Sequence, residues 1–242
     1  MRLAVIGYGK MGKEIERLAV DRGMQVTVKL DSKNSSIGDK ASAFDVAIHF
    51  ATPASVVSHV EQCVKAKKNL VVGTTGWSKD LSQVQSLAKA GDIGLIYASN
   101  FSIGVNVFFQ VMKVAGELFN NLEDYDVAVQ EIHHKDKADS PSGTALTIAD
   151  ILIQKMKHKK EILNTPPSGK IRANQLQVTS TRTGSVFGTH TVVFDSPSDS
   201  LEFVHTAKNR LGFGLGALLA AQWIQGRKGI FTMQDVLASN LK

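Results

Sequence analysis

The spacing of apolar and polar positions changes character part-way along this chain. Over about the first hundred residues, short strand-like runs (RLAVI, QVTVKL, FDVAIHF, NLVV, IGLIY) alternate with stretches of helical period such as SVVSHVEQCVKA and LSQVQSLAKA. Such alternation predicts parallel strands joined by right-handed helical crossovers. In the first helix Ile15, Leu18 and Ala19 form one apolar stripe, and Gly23 stands where a left-handed helix terminus favours glycine. After ASNFSIGVNVFFQVMKVAGELF, where a strand end feeds a long amphipathic helix, the texture becomes strand-rich: YDVAVQEIHH, QLQVTSTRTGSVFGTHTVVFD and LEFVHTAKN. Runs like these suit an antiparallel or mixed sheet. The tail, LGFGLGALLAAQWIQGRKGIFTMQDVL, returns to helical spacing and is apolar enough to pack back on the first domain. The expected fold class is α/β: an N-terminal doubly wound domain, plus an α+β domain with a mixed sheet.

Composition narrows the class of partner. The 242 residues, 43% hydrophobic, can bury one large core or two modest ones. No window approaches the ~20 apolar residues of a membrane span, and the N-terminus lacks a secretory layout, so a cytoplasmic protein without a membrane partner is expected. The net charge of +6 could suit nucleic acid. The basic residues are scattered, however, and no nucleic-acid signature accompanies them, so anionic small molecules fit better. Lone Cys63 sits at helical spacing among valines and reads as a structural thiol. QKMKHKK, residues 154–160, reads as the wet end of a helix, and TPPSG, residues 165–169, as a loop.

GYGKMGKE, residues 7–14, fits two phosphate-binding patterns. A triphosphate loop requires Ser or Thr after Gly12-Lys13 to hold magnesium, and Glu14 has no hydroxyl. The dinucleotide pattern G-x-G-x-x-G is complete in Gly7, Gly9 and Gly12, directly after a strand candidate, with Tyr8, Lys10 and Met11 between them. An acid is then expected about 20 positions on, to hold the adenosine ribose. Asp31 lies 19 residues after Gly12 (31 − 12) and closes the second strand candidate. That acid favours NAD, whereas nearby Lys33 could attract a 2′-phosphate, so NADH, NADPH or both are expected as cofactor. Ligands of doubly wound sheets sit at strand C-termini, which adds Gly73, Thr74 and Thr75 of VGTTGW and Ala98, Ser99, Asn100 and Phe101 of ASNFS to the candidate cofactor residues.

The densest chemistry lies in EIHHKDKADSPSGTALTIADIL, residues 131–152. Ser142 is a good N-cap, after which Gly143, Thr144 and Ala145 present N–H groups at the positive end of a helix dipole, a place for an anion. His133, His134, Lys135 and Lys137 cluster at a strand end, where side chains alternate faces, so a loop must bring them together. Cations facing a helix N-terminus suit a carboxylate-bearing substrate, with His and Lys available for proton transfer. Paired histidines could ligate zinc, but no further Cys or His stands at ligand spacing, and no metal is expected.

At these residues the chain resembles the dihydrodipicolinate (4-hydroxy-tetrahydrodipicolinate) reductase family. EIHHKDKADSPSGTA is similar to the family's E-x-H-H-x-x-K-x-D-x-P-S-G-T-A signature, and VGTTG, ASNFSIGVNV and HTAKNR follow the family's order and approximate spacing. The resemblance implies a Rossmann-like dinucleotide-binding domain over 1–101 plus 210–242, an inserted substrate-binding and oligomerisation domain over 102–209, and a homotetramer built through the inserted sheets. It implies hydride transfer from NADH or NADPH to a cyclic dicarboxylate, with loss of water, on the diaminopimelate route to lysine. His133 and Lys137 become the acid/base pair, with Lys137 donating the proton that completes reduction. His134, Lys137, Ser142, Gly143, Thr144 and Arg210 become substrate-binding residues. Two departures stand out: a first loop one residue shorter than G-x-x-G-x-M-G, and Ser32 after Asp31 where some relatives place arginine. Two rivals share the N-terminal half: another dehydrogenase of small carboxylates, which would not need the whole 133–144 cluster, and a non-enzymatic NAD(P) sensor, which would lack the proton donors.

Overall fold

The computed structural model describes residues 1–239; the last three residues of the expected 210–242 segment lie outside them. The chain divides into two compact units, one formed by residues 1–103 with the segment from Arg210 onward, the other by residues 104–209.

The first unit is built on a six-stranded parallel sheet. Its strands are β1 (Arg2–Ile6), β2 (Gln25–Leu30), β3 (Val46–His49), β4 (Asn69–Val72), β5 (Gly94–Tyr97) and β11 (Gly229–Phe231), in the order β11-β5-β4-β3-β1-β2. Helices α1 (Lys10–Val20), α2 (Val56–Lys65) and α3 (Leu81–Ala90) cross over between strands. β3 and β4 are buried at every position, as a parallel sheet covered on both faces requires. Ile15, Leu18 and Ala19 of α1 meet Leu3, Val5 and Ile48 on one face, together with Ala217, Leu218 and Ala221 of α6 (Leu211–Ile224). Val60 and Cys63 of α2 and Val84 of α3 fill the other face against Ala4, Ala47 and Leu70. Burial drives the Cys63 thiol pKa up to about 12, in keeping with a structural thiol. Gly23 has φ +65° just past α1, as its position in the sequence predicts. The doubly wound sheet agrees with the alternating pattern; the edge strand β11, hidden in a tail expected to be wholly helical, does not, and it is only three residues long.

The second unit carries a mixed five-stranded sheet. β6 (Asp126–His133) is flanked by β8 (Gln175–Arg182), parallel to it, and β9 (Thr189–Asp195), antiparallel; β10 (Ser200–Thr206) and the short β7 (Glu161–Leu163) complete the order β10-β9-β6-β8-β7. One sheet face packs on α4 (Ile103–Phe119) and α5 (Gly143–Lys155), with Phe109, Met112, Ile148 and Leu152 against Val129, Val178, Val192 and Phe194. The expectation of a solvated basic stretch at 154–160 fails at one residue. α5 stops at Lys155, Met156 turns inward, and the Lys159 side chain is 1% exposed. Its ammonium donates to the Asp126 carboxylate and, at 2.8 Å each, to the carbonyls of Ala173 and Gln175, which cations satisfy where no N–H is available.

Candidate functional site

In the first unit, the glycine loop leaves β1 and starts α1. Gly7 (φ +94°) turns so tightly that a side chain would collide with the Phe50 carbonyl, and a side chain at Gly12 would sit 2.6 Å from the Gly7 oxygen. Gly9 has open space where a side chain would be, and as N-cap of α1 it offers no side-chain oxygen to the helix. The start of α1 is therefore approachable by phosphate. The amides of Gly7 and Tyr8 both donate to the Leu30 carbonyl, at 2.9 and 3.0 Å, so the phosphate-facing amides of this shortened loop belong to residues beyond Tyr8, where Lys10 and Met11 open the helix. Tyr8 itself donates its hydroxyl to Glu16, which also pairs with Lys29 at 2.6 Å.

A cavity of about 430 Å³ runs beside this loop, lined by Gly7, Tyr8, Gly9, Asp31, Thr52 and His59 among others. Asp31 is exposed, and its Oδ1 accepts the amides of Lys33 (2.9 Å) and Asn34 (3.0 Å), fixing the carboxylate at the end of β2; the Lys33 side chain points to solvent. A second cavity of about 270 Å³ in the same unit is lined by Thr74, Thr75, Trp77, Tyr97, Ala98 and Ser99. The structure thus brings Gly7, Tyr8, Gly9 and Asp31 to one cavity and Thr74, Thr75, Ala98 and Ser99 to the other. Several of the candidates are engaged with the chain itself. The Thr74 hydroxyl lies 2.7 Å from His49 Nδ1 and accepts the Ala51 amide, so it fixes the loop rather than standing free for a ligand. Asn100 accepts the Ser102 amide, and Phe101 is buried, with its carbonyl against Gly216. Gly73 lies against the Phe50 ring.

In the second unit, the inward face of β6 reads Val127, Val129, Glu131, His133: two apolar residues, then two that titrate. The Glu131 side chain is completely buried, and its carboxylate accepts from Arg182 Nη2 (2.8 Å), the Ser142 amide (3.1 Å) and His133 Nδ1. Burial alone would raise its pKa, but Arg182, the histidine and the Ser142 amide reverse the effect and hold it below the ordinary carboxylate value. Burial depresses the His133 pKa, Glu131 works against that, and Lys137 and Arg182 reinforce it, so the ring is neutral at neutral pH. His190, opposite Glu131 on β9, places its ring 5.2 Å from that of His133 and its Nε2 3.2 Å from Ser142 Oγ; burial takes its pKa down to about 4.

The loop after β6 supplies the convergence that strand alternation denies. The Thr183 amide donates to the His133 carbonyl, that of Lys135 to Gly184 and that of Lys137 to His134, folding residues 134–137 over the strand end. His134 is half-buried there and Lys135 exposed. Lys137 Nζ pairs with Asp139 Oδ1 at 2.7 Å. Partial burial would raise the Asp139 pKa, but Lys137 first, and then the nearby backbone N–H dipoles of Asp139 and Gly143, outweigh it and lower it. Ser142 caps α5 as predicted, accepting the Ala145 amide at 3.2 Å, but it is buried, while Gly143 is exposed and Thr144 half-buried. Arg210, exposed, lies at the N-cap of α6 in the first unit.

Sequence reasoning missed Glu131, Arg182 and His190. Glu131 stands two residues before His133, a spacing that puts both on one strand face, so a signal existed. Arg182 and His190 are brought in by strand pairing alone (His133 opposite Arg182, Glu131 opposite His190). With His190 in place, Glu131, His133 and His190 offer three ligand atoms within 4.8 Å of one another, a grouping that spacing along the chain does not reveal. Its carboxylate is already neutralised by Arg182 and saturated with N–H donors, which suits a hydrogen-bond network better than a cation site.

Residues 1–101 match the family described as "Dihydrodipicolinate reductase, N-terminus", and residues 104–237 the one described as "Dihydrodipicolinate reductase, C-terminus". The chain is 41% identical over 245 residues to a 4-hydroxy-tetrahydrodipicolinate reductase from Christiangramia forsetii, covering 100% of both sequences. It is 39% identical to the enzyme of that name from Buchnera aphidicola subsp. Schizaphis graminum, over 85% of this chain and 77% of that one. Among solved structures it resembles a dipicolinate-bound dihydrodipicolinate reductase from Paenisporosarcina sp. TG-14 (TM-score 0.75, 26% identity, covering 96% of this chain and 97% of that chain). A DAP dehydrogenase from C. glutamicum, 14% identical with a TM-score of 0.56 over 100% of this chain and 95% of that one, shares the fold alone. The resemblance read from the signature around His133 is thereby established: this chain belongs to the dihydrodipicolinate reductase family.

Proposed function

We propose that this protein reduces 4-hydroxy-tetrahydrodipicolinate to tetrahydrodipicolinate, with loss of water, using NADH or NADPH. The observation that carries the reading is the grouping of His133, Lys137 and the start of α5 within one unit of a chain that belongs to this reductase family. A small dicarboxylate requires cations or free N–H groups for both carboxylates, and reduction of a conjugated imine requires a proton donor close to the reacting carbon.

The cofactor's residues fit it. The uncapped start of α1, the open position at Gly9 and the fixed Asp31 carboxylate suit the pyrophosphate and ribose of a dinucleotide, with Lys33 beside them for a 2′-phosphate. A reduced nicotinamide bound there supplies the hydride. Lys137 holds the proton that completes reduction at carbon, His133 takes part in proton transfer, and His134, Gly143 and Thr144, aided by Arg210, orient the substrate carboxylates. Ser142, buried, acts by starting the helix whose amides meet that carboxylate.

The assembly that fits this reading is a homotetramer formed through the second unit's sheet. The sheet face opposite α4 and α5 carries Ile132 and Val204, 37% and 55% exposed, among threonines of β8 and β9. The cytoplasm is the compartment assigned to this activity; separately, no helix among the described residues is long and apolar enough to cross a membrane.

The test is nicotinamide oxidation followed by absorbance, with dihydrodipicolinate synthase generating substrate from pyruvate and aspartate semialdehyde in the same cuvette. Oxidation dependent on every component, with NADH or NADPH, is expected. Silence alongside an active control reductase, with nucleotide binding intact, would refute the activity and favour another dehydrogenase or a nucleotide sensor.

A further inference from the structure

Stability alone does not account for a carboxylate at position 131. The two preceding inward positions of β6 take valine, and burying a charge there is costly unless donors surround it. Three donors do, and one of them is the ring of the proposed acid/base histidine. An ionised carboxylate can only accept, so the nitrogen facing it, Nδ1 of His133, must carry the hydrogen. In a neutral ring that leaves the lone pair on Nε2, and in a charged ring it makes the Nε2 proton the one available for transfer.

The surroundings of Nε2 agree with that assignment. Gly188 lies directly against it: a side chain at 188 would place its first carbon 2.7 Å from Nε2, and Gly188 has φ +152°, a conformation other residues rarely adopt. Its backbone is fixed there by the Ala207 amide, which donates to the Gly188 carbonyl at 2.8 Å. His190, the other ring beside His133, is held uncharged by burial and turned toward Ser142, so it brings no competing cation.

We propose that Glu131 is a positioning residue for the reduction, fixing His133 with its hydrogen on Nδ1 so that Nε2 exchanges the proton, and that Gly188 keeps Nε2 uncovered. Arg182 supports the arrangement by keeping Glu131 ionised. The inference rests on the reading of His133 as a proton-transfer group.

Ring-nitrogen NMR of the full chain at neutral pH tests it, with the His133 signals assigned by their loss in His133→Asn. In the unaltered protein Nδ1 should appear protonated and Nε2 unprotonated. In Glu131→Gln, whose amide can donate as well as accept, the Nε2–H form should grow and kcat fall roughly 100-fold, with KM for the nicotinamide cofactor unchanged. In a His133→Asn background the same substitution should cost less than about twofold, because a residue acting through His133 has nothing left to act on. A dominant Nε2–H form in the unaltered protein, or an equal cost of Glu131→Gln in both backgrounds, overturns the proposal. The first readout needs no variant of Glu131 to fold. Normal turnover in His133→Asn removes the ring from the reaction and overturns the proposal by that route. Absence of turnover in the unaltered protein strikes the reductase reading instead, and the ring spectrum still decides whether Glu131 sets the tautomer.

Discussion

Lys137 and Asp139 form an ion pair at 2.7 Å in the loop that leads into α5. The chain thus presents its own carboxylate to one of the donors proposed for the substrate's. Asp139→Asn should remove a competing negative charge and tighten binding of dipicolinate, the ligand of a solved relative, by about two- to fivefold, the scale of a partly exposed charge pair. Calorimetry decides: unchanged or weaker binding would mean that Asp139 only orients Lys137.

Lys137 is the proposed donor of the final proton. Lys137→Ala should lower kcat by about 10²–10⁴-fold, the usual contribution of a positioned acid, and leave affinity for NADH and NADPH as it was. Near-normal turnover would remove Lys137 from that role.

Asp31 follows β2 directly, with its carboxylate held by the amides of Lys33 and Asn34. Asp31→Ala removes a charge that repels a 2′-phosphate and leaves Lys33 in place. The ratio of kcat/KM for NADPH to that for NADH should rise; a ratio that stays put would show that Asp31 does not meet the ribose.

Buried histidines make stability depend on pH. His49 is held to about 3, by burial first and the neighbouring His59 second, and His190 to about 4. An unfolded histidine protonates near 6.5, so below that pH the unfolded chain binds protons that the native chain refuses. Stability should be full above about pH 6.5 and fall as pH drops toward 4, by up to about 1.4 kcal/mol per pH unit for each group. Urea titrations at several pH values should show a shallower fall for His49→Gln than for the unaltered protein. Equal slopes would exclude His49 as a source.

The sheet-and-helix order of the first unit was legible because parallel strands buried on both faces leave dense apolar runs, and because α1 carries its stripe and its terminal glycine in a few residues. β7 and β11 escaped notice, since three residues cannot display a period. Lys159 misled for another reason: a lysine among lysines looks solvated, and only the neighbouring strands reveal the carbonyls its ammonium satisfies. The candidate site divided in the same way. Residues adjacent in the signature were visible, whereas Arg182 and His190 arrive from other strands through pairing that a linear pattern does not encode.

That pairing makes the chemistry of the second unit a matter of parity. Glu131 faces inward because it is an even number of residues from Val127, and it meets His190 because β6 and β9 are aligned at that rung. Adding or deleting one residue within β6 would turn Gln130 and Ile132 inward and send the carboxylate and the imidazole to the outer face, with every residue of the motif still present in order. The loop at 183–188 connects strands beyond this rung, and between its pins at Thr183 and Gly184 and the close approach at Gly188 it can change length with less effect. Between homologues, gaps should therefore collect in such loops and be absent from the eight residues of β6.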